Sequence, residues 1–93
     1  MAAGSAREMG MESAFDELLE LAARLGVQVR HAHLGGSGGG LATVRGQRVL
    51  FVDQDADPED QLEVVAKAMS RLDLENVFLR PDVRELIEQY RGS

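Results

Sequence analysis

The chain has no cysteine. That excludes disulfides, thiolate zinc sites and a cysteine nucleophile, and it favours a reducing, cytoplasmic setting for so small a domain. Aromatic residues are scarce: Phe15, Phe51, Phe78 and Tyr90, with no tryptophan. The core must therefore be aliphatic, and there is no platform on which the bases of single-stranded nucleic acid could stack. No apolar run approaches the roughly 20 residues that span a bilayer. Met1–Gly10 has no apolar central region of the kind a secretory signal needs. Residues 1–10 are expected as a disordered lead-in, residues 11–91 as a single domain, and Arg91-Gly92-Ser93 as a frayed end.

Basic charge is in short supply too. Ten basic residues stand against sixteen acids, a net charge of −6, which opposes general nucleic-acid binding. The acids are unevenly spread. From Arg24 to Val52 there are four arginines and two histidines and no acid; the remainder holds six basic residues and all sixteen acids. One reading is that acids favour helix surfaces and strands avoid them. The other is a positive patch for an anion or an acidic partner.

What the chain does have is glycine in one place. Gly35-Gly36-Ser37-Gly38-Gly39-Gly40 holds five of the ten glycines. Ahead of it, Glu12–Gly26 reads as an amphipathic helix with Phe15, Leu18, Leu19, Ala22 and Leu25 on one face. Ser13 is its expected N-cap and Gly26 its stop. Val27–Leu34 alternates as a strand. Leu41–Asp53 reads as a hairpin turning at Gly46-Gln47 in a type II′ turn. That register sets Arg45 opposite Arg48 and sends Ala42, Val44, Val49 and Phe51 toward the helices. Leu41, Leu50 and Val52 then lie on a second apolar face that another element or another subunit must cover, and a subunit contact is expected.

Asp57 caps a helix beginning at Pro58, with Leu62, Val65, Ala66, Met69 and Leu72 as its buried stripe. Val77-Phe78-Leu79 is a candidate fourth strand. Pro81 and Asp82 open a last helix with Val83, Leu86, Ile87 and Tyr90 inside. The order α-β-β-β-α-(β)-α predicts an α+β domain: a small, mainly antiparallel sheet of three to four strands packed by two to three helices.

Three places could carry chemistry. The glycine stretch could bring backbone N–H groups to an anion, with Arg30, Gly36, Gly38, Gly39, Arg45 and Arg48 as ligand-binding residues. The default reading is a flexible connection between two strands. A strand rather than a helix follows it, so it is neither a P-loop nor a dinucleotide fingerprint. His31 and His33, two apart on a strand, could share a metal with Asp53 or Asp55, but no full zinc constellation is present. Asp53, Asp55 and Asp57 lack the glycine and glutamate of a calcium loop. No serine sits in a nucleophile elbow.

The succession of helix, strand, hairpin and a helix after an Asp-rich loop is similar to minimal zinc-peptidase domains of the kind that cleave phage-type repressors. Their signature is His-Glu-x-x-His on that helix. The matching stretch here, Val64-Val65-Ala66-Lys67-Ala68-Met69-Ser70, has no zinc ligand or base, so no functional residue carries over. The resemblance, over Glu12 to Leu72, implies a catalytically dead domain. Val77–Ile87 also looks like the tail of small uncharacterised bacterial proteins, a likeness that implies no activity. From the residues we expect a cytoplasmic, non-enzymatic interaction module without a cofactor, acting as a homodimer or on another protein and not on nucleic acid or membrane. The alternative is an anion-binding or enzymatic domain built on the glycine stretch.

Overall fold

In the computed structural model, residues 3–91 are described, with side chains from Ser13 to Arg91. The elements are α1 (Ala3–Arg24), β1 (Gln28–Ala32), β2 (Gly40–Val44), β3 (Gln47–Asp53), α2 (Pro58–Met69) and α3 (Pro81–Glu88). The class is α+β, as expected, with one sheet of three strands.

Helix α1 runs through Ser13, which is an exposed position within the helix and not its N-cap. The expected lead-in over residues 1–10 falls where no side chain is described. The buried stripe is Ala14, Leu18, Leu21 and Ala22. Phe15 and Leu19 pack at its edge, while Leu25 turns out to solvent. The end of α1 is a Schellman motif. Val27 N–H donates to Ala22 C=O at 3.0 Å and Gly26 N–H to Ala23 C=O at 3.1 Å. The motif satisfies two orphan carbonyls and turns the buried Val27 into the core.

The sheet order is β1-β3-β2. β3 pairs parallel with β1 and antiparallel with β2. The sheet is therefore mixed, not mainly antiparallel, and the last strand inserts between the first two. Residues 33–39 must cross the end of β3 to carry the chain from β1 to β2, a span of roughly 9–10 Å at two strand spacings.

The hairpin register differs from the expected one. Val44 pairs with Gln47, Thr43 with Arg48 and Leu41 with Leu50. The turn is Arg45-Gly46, with φ of 53° and 80°. Two positive φ values make a type I′ loop, whose twist matches that of the strands it joins. Arg48 thus faces Thr43, and no like-charge pair forms across the turn. Gln47 ties the hairpin to the end of α1, its side-chain amide donating to Gly26 C=O at 2.8 Å.

The two faces of the sheet are also exchanged relative to expectation. Leu50 and Val52 are buried in one cluster with Leu18, Val65, Met69 and Ile87, and Leu41 packs against it. This face is covered by the chain's own helices and is not available at a subunit contact. Both faces of the hairpin are apolar, so alternation alone cannot choose between them. The bulkier Leu41, Leu50 and Val52 side went inward. Ala42 and Val44 lie outside, exposed; Val49 stays buried between its neighbours on that side.

Helix α2 starts as expected, with Asp57 at the N-cap position and Pro58 in the first turn. Val65, Ala66, Ala68 and Met69 are its buried residues. The segment Val77-Phe78-Leu79 forms no strand. Val77 N–H closes a turn onto Leu74 C=O at 3.2 Å, and only Leu79 of the three is buried. Pro81 opens α3, whose Val83 and Ile87 complete the core.

Candidate functional site

The crossing of residues 33–39 puts the glycine stretch directly over the last residue of the middle strand, Asp53. Asp53 is 3% exposed. One oxygen, Oδ1, accepts from the N–H of Leu34 and of Asp55, both at 2.9 Å. The other, Oδ2, accepts from Gly36 at 2.7 Å and Gly38 at 2.9 Å. Burial pushes this carboxyl up, yet the four backbone N–H groups together outweigh it and hold it below its ordinary value. A second carboxylate extends the clasp. Asp55 accepts from His33 Nδ1 and from Gly35 N–H, each at 2.9 Å. His33, then Gly35, hold its carboxyl below the ordinary value as well.

The arch is thus an anion cradle with an internal tenant. Its N–H groups converge as the anion-site reading supposes, but a carboxylate of the same chain accepts them. Gly39 closes the arch against β3 at φ +98°; a Cβ there would stand 3.0 Å from Phe51 C=O. Only glycine combines that backbone with so close an approach.

The structure does not bring the remaining ligand-site residues to the arch. Arg45 is in the turn at the far end of the sheet, and Arg48 is one residue into β3. Five strand steps, roughly 17 Å, separate Arg48 from Asp53. Arg30 lies midway along the edge strand β1, opposite Phe51. Nor do the two histidines share a ligand geometry. His31 lies in β1 opposite Val52, and His33 lies beyond the strand on Asp55. Among the described residues no three potential metal ligands converge.

A feature the sequence reading passed over lies on the helical side. Phe78 is 85% exposed. It borders a groove of about 680 Å³ between α1 and the segment entering α3, floored by Leu21, Leu79 and Val83. Leu25, 37% exposed, adds to its apolar lining. Arg80 fixes one wall. It pairs with Glu17 at 3.0 Å and with Asp82 at 2.8 Å, and Asp82 is held below its ordinary value chiefly by the Arg80 hydrogen bond. The one available signal was an aromatic between Asn76 and the Arg80-Pro81 helix start, in a stretch with no alternation.

Compared with known proteins, the chain has no significant match to a family model, a curated protein or a solved structure. No helix among the described residues is long and apolar enough to cross a membrane.

Proposed function

We propose that this chain is a non-enzymatic, cytoplasmic interaction module that associates with a second copy of itself through the groove beside Phe78. The observation that carries this reading is the exposure of Phe78, 85%, on a groove whose floor is apolar. Aromatic side chains seated in pockets dominate binding energy at protein interfaces. Phe78 is flanked by a wall that Glu17, Arg80 and Asp82 hold in place, so little side-chain freedom remains to be lost there on association. The absence of cysteine supports the reducing compartment.

Sedimentation velocity over a wide concentration range tests it. The parent chain is expected to show a reversible increase in mass, and Phe78→Glu, with an unchanged circular-dichroism spectrum, to sediment as a monomer throughout. A parent that remains monomeric at millimolar concentration overturns the reading, as does a Phe78→Glu variant that associates like the parent.

A further inference from the structure

The sheet has two edges, and they are protected unequally. Edge strands expose a row of unpaired N–H and C=O groups, which natural sequences guard with charge, proline or bulges. β1 carries Arg30 and His31. β2 reads Gly-Leu-Ala-Thr-Val, with no charge and no proline, and pairs only with β3. Alternate residues of β2 therefore direct their backbone groups away from the sheet, unguarded.

Two hollows flank this edge. On the helix side, one of about 290 Å³ lies between Leu41, the α2 residues Val64 and Lys67, and Arg71 just past the end of α2. On the outer side, another of about 290 Å³ lies among Leu34, Ala42 and Phe51. Gly39 and Gly40 border both, so the start of the strand has no side chain to fill either. A strand laid along β2 would send successive side chains alternately into the two hollows. Their chemistry differs. The outer hollow is apolar. The helix-side one is rimmed by Lys67, in the last turn of α2, and Arg71, just past its end; both are exposed, and neither makes an ion pair among the described residues.

We propose that the β2 edge is a strand-addition site for an extended acidic segment of a partner protein, in which apolar residues alternate with Asp or Glu. The apolar residues fill the hollow at Leu34 and Phe51. The carboxylates meet Lys67 and Arg71. A second copy of this chain fits the site poorly. Joining β2 to β2 offers Leu41 and Thr43 to the partner's basic pair, and no carboxylate. The acid-free run from Arg24 to Val52, which contains β2, has the charge such a partner requires. This site is separate from the Phe78 groove and does not depend on it.

The test is an NMR titration of the full chain with capped heptapeptides alternating Glu with Val, or Lys with Val. The Glu peptide is expected to give saturable shifts in the amides of Gly40–Val44, with affinity falling as salt rises from about 50 to about 500 mM. The charge-reversed Lys67→Glu/Arg71→Glu variant should weaken it by roughly tenfold or more and favour the Lys peptide. Three results overturn the proposal: no saturable shift in β2, equal binding of both peptides by the parent, or shifts confined to the surroundings of Phe78. Light scattering runs alongside, and a dimer abolished by Thr43→Lys would assign the edge to a second copy instead.

Discussion

The carboxylate of Asp53 and the amide of Gly36 meet at 2.7 Å across the end of the sheet. They are 17 residues apart in the chain, and their contact is what shapes the glycine arch. Asp53 uses both oxygens, each on two donors. An asparagine has a single acceptor oxygen and would aim an NH₂ at two N–H groups. Asp53→Asn is therefore expected to lower the melting temperature by roughly 5 °C or more, with lost exchange protection at Leu34, Gly36 and Gly38. An unchanged melt with intact protection would show that the arch holds without its tenant.

Acid should undo the same clasp. The folded-state pKa values of Asp53 and Asp55 are both depressed. The unfolded chain therefore takes up protons first as pH falls, and stability declines with it. The contribution is complete above the ordinary carboxylate value of about 3.9 and is lost as pH drops through the lower folded values. Urea midpoints measured from pH 6 to pH 3 should fall at the acid end for the parent and fall less for Asp53→Asn. Parallel profiles would remove Asp53 from the account.

The core prediction is sharper because the sequence pointed the other way. Leu50 is fully buried under the helices. Leu50→Ala is expected to cost about 2–5 kcal/mol in urea unfolding, and Leu50→Glu to unfold the chain instead of yielding soluble monomers. Val44→Ala, on the outer face at 40% exposure, should cost less than about 1 kcal/mol. Comparable losses at the two positions would mean the faces have been assigned wrongly.

The helices were legible as elements because a single period governs each, although α1 runs through the expected cap at Ser13 and turns Leu25 outward. In α2 the cap position, the proline start and Val65, Ala66 and Met69 of the stripe all agree with the structure. The hairpin was legible as a hairpin but not in its register. Arg45 is not a residue that advertises a positive φ, so the glycine beside it drew the turn one position along. Choosing the buried face needed what alternation cannot supply, since Leu41-Thr43 and Ala42-Val44 are comparably apolar alternatives. Asp53 was visible only as the first of a run of acids and as a possible metal ligand beside the histidines, not as the acceptor that shapes the arch. Its role depends on β3 inserting between β1 and β2, and nothing local in the sequence encodes that order. Phe78 was hidden for the opposite reason: an apolar residue in an apolar triplet reads as core until the chain around it is placed.

Arg45 offers a substitution that should stabilise the protein. It is the one non-glycine residue with positive φ among the described residues, at 53°, and it occupies the first central position of a type I′ turn. That position favours asparagine, whose short polar side chain tolerates the left-handed region that most side chains avoid. No hydrogen bond or ion pair of the Arg45 side chain is present among the described residues to be lost. Arg45→Asn is therefore expected to raise the unfolding free energy by about 0.5–1 kcal/mol, without changing amide shifts beyond the turn. Arg45→Val, β-branched and ill suited to positive φ, should lower it. The pair separates the turn type from charge, since both variants remove the same positive group. If both shift stability in the same direction, the arginine's charge and not its backbone is what matters, and the type I′ assignment fails.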